Sequence, residues 1–545
     1  MTTIYSAKKI ITMNPARPVV SHVAVRDGRI LGAGTLSELA GFGSYTLDER
    51  FAGKVLMPGL VEGHCHTVEG KWWRYVYCGF HDRMDPNGRI WSGLASIEKV
   101  IERLKEKEVS LENSTDALTG WAIDPIYYST RKITRQDLDR VSTTRPIGIM
   151  HASGHIMSVN SKALELADYL RTDIEHDGVP LGDDGLPTGE LKGPDVMRPV
   201  GQKAGFSDNM LEFDEPGLID FARLCVRAGV TTATDLAAEL GNNTVDMGIR
   251  VTGADDFPVR IMALRFHHGV TPEALIEHVR ALQSRSSDRF RLGKIKVIAD
   301  GSIQGFSARM NWPGYYNGAP NGLWYIAPEQ MLSIYEMALE YDIQVHTHTN
   351  GDEATDLVLD TLSAALKKHP NTHHRFTIQH GQLINAAQYR RLAKLNMCVN
   401  HFANHHFYWG DEHYQLTVGP ERAERMNACR TALDNGIPLA IHSDAPITPL
   451  SPLFTAWCAV NRLTSSGRTQ GEYEKITVNE ALYAITLGAA YTLNMDDEVG
   501  SIEIGKHADF AVLEDDPTSV PAAELKDIAV WGTVQAGRVF AASDV

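Results

Sequence analysis

His64 and His66 stand on either side of Cys65 in the stretch MPGLVEGHCHTVEG, residues 57–70, and all three side-chain types can ligate a metal. Side chains alternate between the two faces of an extended strand, so His64 and His66 point one way and Cys65 the other. The two histidines could share an ion while the cysteine packs elsewhere. The plainer alternative is a strand end with two hydrogen-bonded histidines. Later residues bear on the choice through their positions: Lys296 lies in the apolar stretch GKIKVIAD, His348 near the end of IQVHTHT, His380 near the end of RFTIQHG, and Asp444 at the end of PLAIHSD. Polar residues at the ends of several apolar strands would converge into a nitrogen- and oxygen-rich site, a donor set suited to zinc or a similar divalent ion. His346 competes with His348 as the donor from its strand, because period two puts both on one face.

The elements that must position these residues follow from the hydrophobic pattern. Eight apolar segments, at 54–64, 229–237, 257–266, 293–300, 343–349, 375–381, 397–402 and 438–444, alternate with helical stretches such as PEQMLSIYEMALEY and TDLVLDTLSAALKKH. Repeated βα units predict an α/β fold, a (β/α)8 TIM-type barrel, in which chemistry collects at the C-terminal ends of the strands. The barrel and its helices are expected over residues 57–495. Short β-rich segments at 1–56 and 496–545 predict that the termini meet in a small β-sandwich, with Asp27-Gly28 as a hairpin turn. The gap of about 67–215 after the first barrel strand is too long for a simple crossover. It holds KWWRYVYCGF, a helical ASIEKVIERLKEKE, the strand-like PIGIMHASGH and a Gly/Asp/Pro-rich run, and predicts an inserted subdomain covering the barrel mouth.

Composition narrows the function. The 545 residues are 43% hydrophobic and 22% charged, enough apolar material for a large core. A balance of 52 basic against 68 acidic residues, −16 overall, argues against a nucleic-acid or anionic-membrane surface. The N-terminus lacks the apolar core of a secretory signal, and no run of about 18 apolar residues suggests a membrane span. Six cysteines are scattered without a CxxC pair, so neither a disulfide framework nor a Cys-rich zinc site is indicated. The expectation is a reduced, cytoplasmic protein acting on a small molecule, with no nucleic-acid or membrane partner; a homo-oligomer is compatible with it.

Taken together, the motifs resemble the amidohydrolase superfamily, and within it the YtcJ-like branch that includes N-substituted formamide deformylase. MPGLVEGHCH resembles the first-strand HxH signature and HASGHIMSVNSKAL the branch's HASGH motif. KVIADGS, HTNGDEA, IQHG and HSDAP are similar to its lysine-strand, HxxGD, sixth-strand histidine and SDAP motifs, and GSIEIGKHADFAVLE to its return into the terminal β-structure. The resemblance implies metal ligation by His64, His66, His348, His380 and Asp444. It also implies that Lys296 is N-carboxylated by CO2 and bridges two ions, since a carbamate presents anionic oxygens where an ammonium would repel metal. The alternative for Lys296 is a buried pair with Asp300, which leaves a single ion. The expected cofactor is therefore a divalent metal, zinc, as one or two ions.

The implied reaction is hydrolysis of an amide-type C–N bond, in an N-acyl or N-formyl amine or a related amide. Zinc lowers the pKa of bound water to about 7 and polarises a carbonyl, and the metal-bound hydroxide attacks. Asp444 is the expected proton shuttle from the attacking water to the leaving nitrogen. Contacts to substrate are expected from His151 or His155, which could stabilise an oxyanion, and from Asp300, Ser302, Trp72, Trp73, His405 and His406. Each has a structural alternative: a polar turn for HASGH and DGS, packing for the tryptophans. The His-rich HFANHHFYWGDEHY departs from the branch's usual seventh-strand composition. Two other functions stay open, a deaminase of an aminated ring and a catalytically idle, metal-binding regulatory protein.

Overall fold

Eight parallel strands follow the apolar segments in order: β1 Leu60–Glu62, β2 Val230–Ala238, β3 Arg260–Phe266, β4 Phe290–Ile298, β5 Val345–Thr349, β6 Thr377–His380, β7 Cys398–His401 and β8 Leu439–Ile441. The structure, a computed structural model, describes residues 1–113, 116–128, 131–206 and 212–545. Residues 114–115, 129–130 and 207–211, all inside the expected insertion, lie outside the described residues. Each strand pairs with its neighbour in sequence. Every residue of β1 and of β5 to β8 is buried, as expected of a parallel sheet covered on both faces. Helices such as Pro328–Glu340 and Asp352–Lys368 separate the strands.

The sheet curls until its edges touch. Cys65 and Ala445 form a parallel bridge. Beside it the Asp444 N–H donates to the His64 carbonyl at 3.1 Å and the His66 N–H to the Ala445 carbonyl at 2.7 Å. Glu62 reinforces this seam by accepting from the Ser443 N–H at 3.1 Å and the Ser443 hydroxyl at 2.9 Å. The result is the expected α/β TIM-like barrel, with its edges joined beside the candidate metal ligands.

The first apolar segment, expected as one strand over 54–64, is divided between two sheets. Tyr45–Pro58 belongs to a sheet built from the chain ends, and β1 starts only at Leu60. Gly59 sits at the crossing. A Cβ there would come within 1.9 Å of the Thr231 hydroxyl, so the close approach to β2 requires glycine. The sheet of the chain ends has seven strands, in the order Arg538–Ala541, Val530–Gln535, Phe510–Leu513, Tyr45–Pro58, Thr2–Ile11, Val19–Arg26 and Arg29–Gly34. Both termini therefore share one sheet, with Tyr5, Phe51 and Phe510 buried in its core. Asp27 and Gly28 take left-handed backbone angles (φ 53° and 73°), as the tight hairpin between Val19–Arg26 and Arg29–Gly34 requires.

The chain divides into two compact units. The first, residues 1–66, 222–445 and 450–545, holds the barrel and the terminal sheet. The second, residues 67–221 and 446–449, carries a five-stranded sheet in the order Glu190–Lys192, Ile156–Val159, Ile147–His151, Leu118–Ile123, Val76–Tyr77. Its helix Ile97–Val109 starts at Ser96, whose hydroxyl accepts from the Lys99 N–H at 3.3 Å, a standard N-cap. Among the described residues no helix is long and apolar enough to cross a membrane.

Candidate metal centre

His64, His66, Lys296, His348, His380 and Asp444 all belong to the first unit. Lys296 lies near the end of β4, His348 near the end of β5, and His380 is the last residue of β6. Both His380 (φ 64°) and Asp444 (φ 54°) have left-handed backbones, a conformation that costs a non-glycine residue about 1–2 kcal/mol. Their side chains lie together, His380 Nδ1 3.7 Å from Asp444 Oδ2. Asp444 Oδ1 is 3.4 Å from His64 Nε2 and 3.4 Å from His66 Nε2. Lys296 Nζ is 3.4 Å from the same His64 nitrogen.

A buried amide sets the protonation of His64. Gln379 Oε1 accepts from Asn400 Nδ2 at 3.0 Å and from His64 Nδ1 at 2.8 Å, while Gln379 Nε2 donates to His346 Nδ1 at 2.7 Å. With its proton on Nδ1, the neutral ring turns a lone pair on Nε2 toward Asp444. His380 Nδ1 and Asp444 Oδ1 have no hydrogen-bond partner among the described residues. Burial, reinforced by Lys296, holds the His64 pKa well below its usual value, and burial with His348 does the same for His380. Neutral imidazoles turned toward a carboxylate form a buried acceptor set. A divalent cation fits such a set, and imidazole with carboxylate is a zinc donor combination.

His346 and His348 differ in their partners, His348 Nε2 lying 3.2 Å from the Gly301 carbonyl. His346 is bound to Gln379, whereas the His348 ring lies 4.5 Å from the His380 ring. Burial brings the Lys296 amine down to about 7, against the pull of Asp444. The alternative pairing of Lys296 with Asp300 is not made. Asp300 accepts from the backbone N–H groups of Arg309, Asn350 and Gly351 at 2.9, 3.0 and 2.9 Å. Cys65 faces away from the histidines and donates through Sγ to the Thr234 carbonyl of β2 at 3.0 Å.

The residues expected at substrate are divided. Asp300 accepts from three backbone amides, with Oδ1 also 3.7 Å from His348 Nε2, and Ser302 accepts from the Gly305 N–H at 3.2 Å. His405 packs its ring 4.2 Å from Phe402. His406 Nδ1 instead lies 2.8 Å from Gln470 Oε1. The remaining four are in the second unit. His151 Nε2 is 2.8 Å from the Ser158 hydroxyl, and burial lowers its pKa to about 4. His155 is half-buried beside the left-handed Gly154. Trp72 and Trp73 pack edge-on to Trp121, with ring centroids at 5.7 and 5.1 Å.

Sequence reasoning passed over His442. It lies two positions before Asp444, is fully buried, and neither of its ring nitrogens has a hydrogen-bond partner among the described residues. Ring nitrogens of His64, His380 and His442 lie within 4.8 Å of one another, and the same holds for ligand atoms of His64, His66 and Asp444. The signal in the sequence was a histidine on the strand that leads to Asp444.

A parallel barrel with a histidine–carboxylate cluster at its C-terminal strand ends places its polar residues where TIM-type barrels carry active sites. The amidohydrolase family model matches residues 52–541, and the chain belongs to that family. It is 27% identical to YtcJ of Bacillus subtilis (strain 168), which carries an amidohydrolase name, over 99% of both chains. It is 24% identical to an N-substituted formamide deformylase of Arthrobacter pascens, over 96% of this chain and 95% of that one. Among solved structures, an uncharacterized metal-dependent hydrolase from Pyrococcus horikoshii superposes with a TM-score of 0.72 at 20% identity, over 96% of this chain and 99% of that one. That likeness is one of fold.

Proposed function

We propose that this protein is a metal-dependent hydrolase of an amide-type C–N bond in a small molecule, an N-formyl or N-acyl amine. The observation that carries the reading is Asp444 Oδ1 lying 3.4 Å from Nε2 of both His64 and His66, with the His64 proton held on the far side of its ring by Gln379. Family membership and the similarity to a formamide deformylase support the choice of bond.

The residues that would hold the metal are His64, His66, His348, His380 and Asp444, with zinc as the ion. Lys296, as the carbamate formed with CO2, would admit a second. When bound, a divalent ion supplies an acidified water, pKa about 7, and a polarised carbonyl. Asp444 accepts the proton of the attacking water on its carboxylate and delivers it to the leaving nitrogen, so that the amine departs neutral. His64 stays neutral through this transfer because burial and Lys296 hold its pKa down, while Gln379 keeps its proton on Nδ1. The burial of His64, His380 and Asp444 strengthens the electrostatics acting on the scissile group.

A panel of N-formyl and N-acetyl amines, assayed for released amine with the zinc-loaded protein, tests the proposal. Turnover of at least one member is expected. A metal-loaded protein that hydrolyses no amide, ester or cyclic amidine contradicts it.

A further inference from the structure

We propose that His442 is a metal ligand, forming with His64 and His380 a three-nitrogen pocket in the centre. This rests on the metal-dependent hydrolase reading and adds a donor to His64, His66, His348, His380 and Asp444.

The His442 ring is held in a stack. It stacks with His64, centroids 4.5 Å apart and planes 15° apart, and with Phe402, at 5.1 Å and 21°. The His380 ring is 5.0 Å away. These contacts fix the plane of the imidazole and give its nitrogens no protein hydrogen bond among the described residues. A polar group buried without a partner gives up its hydration and gains no hydrogen bond in return. A core position with only packing to do is better filled by an apolar side chain, so a buried imidazole without a polar partner calls for a ligand.

The neighbouring donors show which ligand fits. His380 Nδ1 also lacks a hydrogen-bond partner among the described residues, and ring nitrogens of His64, His380 and His442 lie within 4.8 Å of one another. Nitrogens sharing one tetrahedral zinc at about 2.1 Å stand about 3.4 Å apart, within reach of small side-chain adjustments. Three neutral imidazoles cannot satisfy one another through hydrogen bonds alone, because each offers one proton and one lone pair in fixed directions. They can converge their lone pairs on a cation. The pocket needs no carboxylated lysine, so an ion there survives the loss of Lys296.

The test uses full-length protein stripped by a chelator and refilled with Co(II). In His442→Gln, shown to be folded by circular dichroism, the cobalt dissociation constant is expected to rise at least about 10-fold, with a changed visible spectrum. In His442→Cys a thiolate-to-cobalt charge-transfer band is expected that the wild type lacks; this variant reports ligation directly if the glutamine variant does not fold. Unchanged affinity and spectrum in His442→Gln, or a folded, cobalt-loaded His442→Cys without the band, overturns the assignment while leaving the hydrolase reading intact. A wild-type protein that takes up no cobalt overturns both.

Discussion

Asp444 and His64 come from opposite ends of the barrel's strand order and meet twice, through the Asp444 N–H on the His64 carbonyl at 3.1 Å and through Oδ1 at 3.4 Å from Nε2. One contact joins the edges of the sheet and the other forms part of the candidate centre. Closure of the sheet and the approach of the carboxylate to the histidine are thereby structurally linked. The left-handed backbone of Asp444 is conformational strain held at that junction.

Asp444→Asn separates holding the metal from moving the proton. The amide keeps an oxygen donor but cannot accept and return a proton. Metal content measured by elemental analysis should stay close to wild type, while kcat falls about 100- to 10,000-fold, the usual contribution of a positioned acid–base group. Unimpaired turnover removes Asp444 from the shuttle role.

Lys296→Ala removes the carbamate donor. The expected result is a fall from two ions per chain to one, with partial recovery of activity on adding a short carboxylic acid such as acetate, which supplies the missing oxygens. A variant that still holds two ions counts against the carbamate bridge.

Gln379 orients His64 from behind. Gln379→Leu keeps the volume but removes the acceptor at 2.8 Å, freeing the ring to place its proton on Nε2. Removal of such an orienting partner weakens metal binding by about 10- to 100-fold, measurable by chelator competition. A second readout, the nitrogen chemical shifts of His64 in the metal-free protein, should show the change of tautomer. An unchanged tautomer means that Gln379 does not set it.

A separate ion cluster joins the barrel to the returning chain. His507 Nε2 lies 3.1 Å from Asp288 Oδ1 and 3.5 Å from Glu498 Oε2, with Arg260 and Arg291 also against Asp288. Burial opposes the charge on His507, but Asp288 and Glu498 prevail and raise its pKa, while Arg260 works against them. A raised histidine pKa contributes stability that is fully present below the unfolded value of about 6.5 and lost as pH rises through the folded value. Urea unfolding of wild type and His507→Gln should therefore show a larger stability gap at acidic than at mildly alkaline pH. A gap that widens with rising pH contradicts the assignment.

The barrel was legible because its strands are short apolar runs bounded by helical periodicity, and all eight segments contain the observed strands or overlap them closely. Lys296, His348 and His380 stood out because a charged or imidazole side chain in such a run is conspicuous. The first segment was misread as one strand because hydrophobicity is continuous across Pro58 and Gly59, and only the approach to Thr231 shows why the chain changes sheets there. Gln379 and Asn400 were invisible because a neutral amide in a strand carries no pattern of its own; its meaning is in its partners. His442 was eclipsed by Asp444, two residues on, because the carboxylate already supplied a donor at that strand end. Asp300 and Ser302 lie close to candidate ligands in sequence, but the backbone amides they accept from are not legible in composition.

The central claim, that this cluster is a catalytic metal centre, is tested most directly by elemental analysis of the purified protein coupled to turnover of an N-formyl amine before chelation, after chelation and after refilling with zinc. At least one divalent ion per chain is expected, with loss of turnover when the ion is removed and its return with zinc. A protein whose turnover is unaffected when its metal is stripped, or one that holds no divalent ion as purified and takes up none, contradicts it.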